Sequence, residues 1–337
     1  MGVDIETVRA SNSRLSDVKG PQVALFVGAT SGIGLGALKE FAQHAIDPRV
    51  YFVARNAKTA AGIVDDLRTL NPGGKYEIIE KDVSLVRDAE KVAEFVKSKE
   101  SSLDLLFLSA GFVSFDGRQE TPEGLDASMS TRYYSRIRIT QLLIPLLNKA
   151  RSPHVISILA GGKEGPMNED DLDLKQAKNF SVASASYHSA NMGTLVFEKF
   201  AAENPRISFV HEYPGIVSTP LLDRLAGGVK GVAIRYLAAP VLRLFSFSAT
   251  EAGQRSLFAA TSARYSVDDG MVPLSAATGK GGVGLEKAVR SNGGKGIFLV
   301  DQTGGITDNE KVLAPFRKAG MEKRVWEHTQ GVFNSLR

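Results

Sequence analysis

The amino-acid sequence predicts an α/β fold built on a doubly wound parallel sheet. Short runs that are apolar on both faces alternate with longer segments in which charged residues recur at helical spacing. Strands without a polar face must be covered on both sides, and helices that alternate with strands provide that cover. A glycine-rich turn directly after the first apolar run is the second observation, because such turns join strand to helix in these sheets.

Seven segments have the apolar content of buried strands, and they are separated by predicted helices. The predicted strands cover residues 22–28, 49–55, 75–82, 103–111, 154–160, 206–214 and 296–300. The predicted helices include 32–45, 57–70, 86–99 and 122–150. The sequence shows no internal repeat, so this alternation predicts one domain over residues 21–337 that ends in a C-terminal helical extension.

Composition excludes several classes of protein. The 337 residues are 43% hydrophobic and 23% charged, enough for a large core, and the net charge is only +4. The charges are interspersed, so no nucleic-acid surface is predicted. The absence of cysteine excludes a disulfide framework and a thiolate metal site, and the five histidines show no ligand spacing. We therefore expect a cytoplasmic protein without a metal site.

The ends and the insertions of the domain carry weaker signals. Residues 1–20 lack the apolar run of a signal peptide and are predicted to form an N-terminal surface extension. No segment reaches the roughly 18 apolar residues of an integral membrane span. The apolar segment about 221–247 is predicted to be a flap over a substrate pocket. A glycine-rich stretch makes residues about 266–295 an exposed insertion.

The first turn between strand and helix has the composition of a phosphate-binding loop. In "VGATSGIG", Gly28, Gly32 and Gly34 stand directly between the first predicted strand and the helix that begins near residue 32. Glycine permits the tight turn and lets the backbone approach a pyrophosphate, while the helix N-terminus offers free N–H groups and a positive dipole end. This turn predicts a Rossmann fold that binds a dinucleotide.

At these residues the chain resembles the short-chain dehydrogenase/reductase family, whose motif is Thr-Gly-x-x-x-Gly-Ile-Gly. Val27 replaces the threonine and the remaining positions match. The resemblance covers residues about 21 to 265, and the tail "KRVWEHTQGVF" looks like that of long fungal members associated with specialised metabolism. It implies a small-molecule substrate, and a homodimer formed through the fourth and fifth helices unless the C-terminal extension covers that surface.

Further positions resemble the cofactor pocket of that family. Arg55 ends the second strand where an acidic residue would select NAD, so it suits the 2′-phosphate of NADP. The remaining matches follow successive strands. The resemblance implies that NADP(H) is held by Gly28, Thr30, Ser31, Gly32, Ile33, Gly34, Arg55, Asp82, Val83, Ser109, Ala110, Gly111, Tyr187, Asn191, Pro214, Gly215, Val217 and Thr219.

The reaction centre departs from the family pattern. Family enzymes use a tyrosine, a lysine four residues later, a serine and an asparagine. Tyr187 matches the tyrosine, whereas Asn191, Ala160 and Arg132 stand at the other three positions. Ser157 lies three residues before Ala160, and on a strand an odd offset points a side chain to the opposite face. Tyr187 and Asn191 are therefore the predicted catalytic residues of a degenerate tetrad.

The missing lysine restricts the direction of the chemistry. An ammonium about 4 Å from a phenol contributes roughly 4 kcal/mol at an effective dielectric near 20. Neutral Asn191 cannot supply that charge, although it could hydrogen-bond the ribose hydroxyls. Tyr187 can then protonate an incipient alkoxide but is a poor base toward an alcohol. Reduction is the favoured direction.

Four charged or polar residues near the predicted centre have two interpretations each. Arg132 could polarise a carbonyl or bind an acidic substrate, but a solvated or subunit-facing position is slightly favoured. Lys163 and Glu164 follow the fifth strand near the position of the missing serine and could substitute for it, but a solvated loop is favoured. His188 adjoins Tyr187, but successive helical residues point about 100° apart, so it should face elsewhere.

Three functions fit these residues. The first is an NADPH-dependent reductase of a carbonyl or enone in a small hydrophobic metabolite, with the proton from Tyr187 or solvent. The second is a non-redox isomerase or cyclase that uses the binding shape and a phenol proton. The third is a catalytically silent NADP-binding protein. The first is preferred because the glycine turn, Arg55 and Asp82 would otherwise be superfluous.

Overall fold

A computed structural model describes residues 2–112, 117–218, 246–268, 270–274 and 285–336 of the chain. Most of the predicted flap at 221–247, together with Thr219, lies outside the described residues, as does part of the predicted insertion at 266–295. No helix in these ranges is long and apolar enough to cross a membrane.

The main sheet contains seven parallel strands in the order β3-β2-β1-β4-β5-β6-β9. All seven predicted strands are present, so the doubly wound parallel sheet is confirmed. A separate parallel pair, β7 with β8, lies outside this sheet. The strands are β1 Val23–Val27, β2 Arg49–Ala54, β3 Lys75–Glu80, β4 Leu105–Leu108, β5 His154–Ile158, β6 Ser208–Glu212, β7 Val217–Ser218, β8 Phe247–Ser248 and β9 Phe298–Val300.

Helices cover both faces of the sheet. The predicted helices 32–45, 57–70, 86–99 and 122–150 are all present, the last of them divided by one π-helical turn, Ser130–Tyr134. The described helices are α1 Ile5–Ser13, α2 Gly32–His44, α3 Ala57–Leu70, α4 Val86–Lys99, α5 Ala127–Met129, α6 Ser135–Leu147, α7 Val182–Glu203, α8 Ala249–Thr261, α9 Glu310–Lys318 and α10 Met321–Ser335. Helices α9 and α10 are the predicted C-terminal extension.

Side chains alternate between the two faces of the sheet along each strand, so the sheet has a hydrophobic core on each face. Leu25 and Leu106 belong to the core under α4, α6 and α7. Phe26 and Phe107, one residue further along the same strands, belong to the core under α2 and α8, where their rings stack with centroids 5.1 Å apart. Because successive strand residues point to opposite faces, a strand that is apolar throughout fills both cores.

The strand order places a crevice above the carboxyl ends of β1 and β4. Strand β1 pairs with β2 on one side and with β4 on the other, so the chain changes direction across the sheet at this point. The turns that leave β1 and β4 then lead to opposite faces of the sheet. Open α/β sheets bind ligands at such a position.

The N-terminal twenty residues differ from the predicted surface extension. Asp4 accepts a hydrogen bond from Thr7 N and starts α1, and Val8 is fully buried. Asn12 is also buried, and its Nδ2 donates to the backbone oxygen of Gln254 on α8 (2.9 Å). The prediction missed this helix because it rested only on the lack of a signal-peptide pattern, whereas α1 is an amphipathic helix that packs on α8.

Candidate active site

The glycine turn after β1 is pressed against the end of β4. Gly28 has φ +99°, and a Cβ built on it would lie 2.2 Å from Ala110 N. A Cβ on Gly34 would lie 2.3 Å from the oxygen of Gly28, and Gly32 has φ +60°. Side chains do not fit at Gly28 or Gly34, which explains why glycine stands at these positions.

The N-terminus of α2 opens above this turn. The helix begins at Gly32, and its N-cap residue Ser31 makes no side-chain hydrogen bond to the first turn. Thr30 and Ser31 are exposed, and Ile33 is half-buried. The first N–H groups of a helix that lacks a side-chain cap remain free to bind an anion, and the positive end of the helix dipole favours it. These residues fit the pyrophosphate of a dinucleotide.

The end of β4 supports the turn from below. Ser109 donates its Oγ hydrogen to the oxygen of Gly28 (3.1 Å), so serine keeps a hydrogen bond at the position of the family's asparagine. The N–H groups of Ser109 and Ala110 both donate to the oxygen of Val27. Gly111 is exposed at the rim of the crevice. These contacts fix the floor on which a cofactor would lie.

The second and third strands end in residues suited to the adenosine half of a dinucleotide. Arg55 is exposed directly after β2, while the next residue, Asn56, caps α3 by accepting from Thr59 N (3.1 Å). Asp82 follows β3 and orders its own turn by accepting from Ser84 N (2.9 Å). Val83 is buried. The guanidinium of Arg55 is thus presented to solvent at the same edge of the sheet as the glycine turn.

The turn after β6 approaches the crevice from the other side. Gly215 has φ +72°, and a Cβ there would lie 3.0 Å from Cβ of Gln302. Pro214 is half-buried and precedes it, and Val217 is buried in the short strand β7. The predicted contact of Thr219 with the nicotinamide lies outside the described residues and stays a prediction.

Tyr187 lies at the surface of α7 with 37% of its area exposed. Its ring packs on Gly165, where a Cβ would lie 2.4 Å from Tyr187 Cδ1. Gly165 belongs to the loop that follows β5, and this loop therefore positions the phenol. A partly exposed tyrosine beside the loop that follows β5 is accessible to a substrate.

Asn191, one helical turn later, is fully buried. Its Nδ2 donates to the backbone oxygen of Gly165 (2.8 Å), and its Oδ1 has no partner among the described residues. One of the two Nδ2 hydrogens is thus engaged by the loop, and the fully buried side chain presents no surface to a ribose hydroxyl. Asn191 instead anchors the loop on which the ring of Tyr187 rests, and its role at the ribose stays a prediction.

A buried hydrogen-bond chain continues from the same loop. The hydroxyl of Thr194 on α7 donates to Glu164 Oε1 (2.6 Å) and lies 2.9 Å from Nδ1 of His211. Nε2 of His211 accepts from Ala160 N (3.2 Å), so its proton is on Nδ1. Burial lowers the pKa of His211 to about 3, so the ring is neutral. This chain fixes the backbone where the family has its serine.

The expectation that Glu164 is solvated is wrong. The side chain is buried, and burial raises its pKa, although hydrogen bonds from Thr194 and Asn309 act in the opposite direction. Asn309 Nδ2 donates to the backbone oxygen of Glu164 (2.8 Å). Lys163 is exposed as expected, and its Nζ lies 5.1 Å from the centroid of the Tyr213 ring. Neighbouring residues in one loop thus have opposite environments, which composition alone did not distinguish.

The solvated or subunit-facing position favoured for Arg132 is also wrong, because Arg132 is only 7% exposed. Its Nη2 donates to Ser186 Oγ (3.1 Å), on the residue before Tyr187.

Arg136, one turn later, is 3% exposed, and the sequence did not identify it as a site residue. Its Nη1 donates to Ser157 Oγ (2.6 Å), and Ser157 is only 2% exposed, so this hydroxyl is buried and is not open to a substrate. Arg136 also donates to the backbone oxygens of Ala110 and Ile158.

His188 faces away from the crevice, as expected. Its Nε2 accepts from Asn168 N (2.9 Å), and its Nδ1 lies 3.1 Å from the oxygen of Leu172. Burial lowers its pKa. Both ring nitrogens serve the loop before α7, so His188 is not free for proton transfer.

Comparison with known proteins identifies relatives of nearly the same length. The family model described as short chain dehydrogenase matches residues 22–226, more than half of the chain. The NmrA-like family domain-containing oxidoreductase notO of Aspergillus sp. is 46% identical over 99% of this chain and 96% of its own length. Oxidoreductase AN1596 of Emericella nidulans is 37% identical, with 98% of each chain covered.

Solved structures share the fold at lower identity. A short-chain type dehydrogenase/reductase from Mycobacterium marinum has a TM-score of 0.56 and 19% identity, and the match covers 74% of this chain and 91% of that one. A 7α-hydroxysteroid dehydrogenase solved with NADH and 7-oxo glycochenodeoxycholic acid has a TM-score of 0.54 and 20% identity, with 74% and 89% covered. These likenesses establish the fold.

Proposed function

This chain belongs to the short-chain dehydrogenase family, and on that premise we propose that it is an NADPH-dependent reductase of a carbonyl or enone in a small hydrophobic metabolite of specialised metabolism. The observation that carries the proposal is the glycine turn at the N-terminus of α2. A Cβ at Gly28 or Gly34 would overlap backbone atoms, and the helix end above them has no side-chain cap. Such a turn suits a pyrophosphate.

Arg55 supports NADPH over NADH. It is exposed at the carboxyl end of β2, the position where an acidic side chain would bind the 2′-hydroxyl of NAD. An acidic side chain there would repel the 2′-phosphate of NADPH, whereas a guanidinium attracts it and offers it several N–H donors. Thr30 and Ser31 lie on the exposed side of the neighbouring turn and can add hydroxyl donors.

The chemistry divides between the cofactor and the chain. When bound, NADPH supplies a hydride to the electrophilic carbon of the substrate. The phenol of Tyr187 then donates its proton to the oxygen, or to the α-carbon of an enone, and solvent restores that proton. Asn191 anchors the loop that contains Gly165 beneath the ring, and this loop positions the phenol.

The loss of the lysine favours enones among the possible substrates. A carbonyl reduction develops alkoxide charge on one oxygen, and Asn191 is neutral and buried. Hydride addition to the β-carbon of an enone spreads that charge over an enolate, which needs less stabilisation. The relatives named as oxidoreductases come from Aspergillus and Emericella, which supports a place in fungal specialised metabolism.

A non-redox isomerase or cyclase is a second candidate, and one observation favours it. Asn191 and Ala160 stand where the family has its lysine and its serine, so neither supplies the group that family enzymes use in redox chemistry. Turnover without a change in absorbance at 340 nm supports this candidate, whereas stoichiometric NADPH consumption supports the reductase.

The proposal is tested first by nucleotide titration. We expect NADPH to bind more tightly than NADH, and Arg55→Ala to weaken NADPH roughly 10- to 100-fold while NADH changes little, because a charged hydrogen bond contributes about 1.5–3 kcal/mol. Arg68→Ala, at the far end of α3 and 64% exposed, is the matched control. Absence of binding by both reduced nucleotides contradicts the proposed function.

A further inference from the structure

Two buried guanidinium groups without a carboxylate partner are the least explained feature of the crevice. Arg132 and Arg136 lie one turn apart, and neither forms an ion pair within the described ranges, whereas Arg138 on the same segment binds Glu90 (Nε to Oε1, 2.7 Å). Asp126 exerts the main attraction on Arg132, but its two oxygens accept from Met129 N and Gln119 N. Two buried like charges are unfavourable unless an anion or strong acceptors compensate them.

The two arginines differ in how many of their N–H groups have an acceptor. Arg136 donates to three oxygens, those of Ser157, Ile158 and Ala110, and its Nε is buried without a partner. It therefore joins the ends of β4 and β5. Among the described residues Arg132 donates one hydrogen bond, to Ser186. Its remaining N–H groups have no acceptor in that part of the chain.

The stem of Arg132 lies beside the predicted cofactor floor at the end of β4. A Cβ built on Gly111 would lie 3.4 Å from Arg132 Cγ and 3.6 Å from Arg136 Nη2. On the inner side, the cavity that Arg132 and Arg136 share with Ser157 and His211 has a volume of only about 10 Å³. Such a space holds one water and no carboxylate. An anion that binds Arg132 does not fit in this inner cavity, whereas Gly111, beside the Arg132 stem, is exposed at the rim of the crevice.

We propose that Arg132 binds a carboxylate of the substrate, and that Arg136 fixes the ends of β4 and β5 beside it. The inference rests on the proposed function and adds an acidic group to the hydrophobic metabolite. A guanidinium presents a fork of N–H donors that matches two oxygens of a delocalised anion. The attachment of Arg132 to Ser186, beside Tyr187, places this anion near the proton donor.

The test compares an acid with its ester. The probes are (E)-4-oxo-4-phenylbut-2-enoic acid, its methyl ester, and benzoate as a smaller anion. Each is titrated by calorimetry in the presence of NADP⁺. The oxidised cofactor cannot reduce the probe, so the experiment measures binding without turnover. The wild type should bind the acid at least tenfold more tightly than the ester. Arg132→Gln should reduce that preference to near one, and Arg132→Lys should retain part of it.

Arg138→Lys is the matched control, because Arg138 is equally buried on the same segment but is paired with Glu90. It should leave the preference unchanged. Equal affinities for acid and ester in the wild type, an unchanged preference in Arg132→Gln, or no binding of either anion would each overturn the inference. Absence of NADPH binding by the wild type would instead be failure of the proposed function. The NADPH affinity of each variant is also measured, so that a changed acid preference is not confused with weaker nucleotide binding.

Discussion

Gly165 shows how one residue without a side chain can control the geometry of a phenol. A Cβ there would lie 2.4–2.8 Å from three ring atoms of Tyr187. Because Tyr187 is 37% exposed, the ring can move aside, so Gly165→Ala should fold normally and displace the proton donor. We expect kcat to fall roughly tenfold or more, since small misplacements of catalytic groups cost up to about 10²-fold.

The affinity for NADPH should not change in Gly165→Ala, which separates positioning from binding. Gly62→Ala is the control, because Gly62 lies on α3 and a Cβ there meets no atom within 4 Å. That variant should keep its activity and gain up to about 1 kcal/mol of stability from helix propensity. Steady-state kinetics and thermal unfolding of both variants test the role of Gly165, and equal kcat values would contradict it.

Glu212 is a buried acid at the end of β6 that the proposed chemistry does not use. Burial, reinforced by Asp301, raises its pKa to about 8, and Ser256 and Arg255 act in the opposite direction. The unfolded chain has the ordinary pKa of 4.5, so between pH 4.5 and 8 only the folded protein holds the proton. Stability should therefore fall as pH rises through this window.

Glu212→Gln should remove that pH dependence. Each pKa unit corresponds to about 1.4 kcal/mol, so the wild type should lose a few kcal/mol relative to the variant between pH 5 and pH 8. Urea unfolding at both pH values measures the difference. Parallel stability curves for the two proteins would show that Glu212 ionises normally in the folded state.

At the scale of elements, strands and helices were predictable because their signals are local. A strand such as β1 is apolar at every position, and the glycine turn follows it directly, so the sheet and its first turn can be inferred from neighbouring residues. The N-terminal helix α1 was missed because its apolar residues, Ile5 and Val8, become significant only when α8 lies beside them.

The environment of the site residues was less predictable for the same reason. Arg132 and Glu164 stand in polar stretches of sequence, yet both are buried, because the neighbours that cover them come from distant parts of the chain. Asn309 lies 145 residues from Glu164, and Ser186 lies 54 residues from Arg132. Spacing identified the position of each residue in the motif, but it could not identify contacts over such separations.

At the scale of the whole molecule, α10 packs on the helical segment 127–147 and on α7. Counted from α2, these are the fourth and fifth helices, through which the resemblance implies a dimer. Met321, Val325, Thr329 and Phe333 are buried at intervals of four residues. The hydroxyl of Thr329 lies 2.6 Å from that of Tyr133. The ring of Trp326 meets that of Phe200 on α7 edge to face, with centroids 5.3 Å apart. One chain thus supplies the cover that a partner would supply.

We therefore predict that the full chain is a monomer and that α10 maintains this state. Phe333 is 1% exposed, packs on the ring of Tyr134 and lies under the guanidinium of Arg138 (5.0 Å). Phe333→Ala should lower the free energy of unfolding by about 3 kcal/mol or more. Lys323→Ala, on the exposed face of the same helix, should have little effect.

Removal of residues 320–337 should expose apolar surface on α7 and cause dimerisation or aggregation, which light scattering detects. The prediction is contradicted if the full chain is a dimer and the shortened chain has the same mass distribution. A different surface would then form the interface.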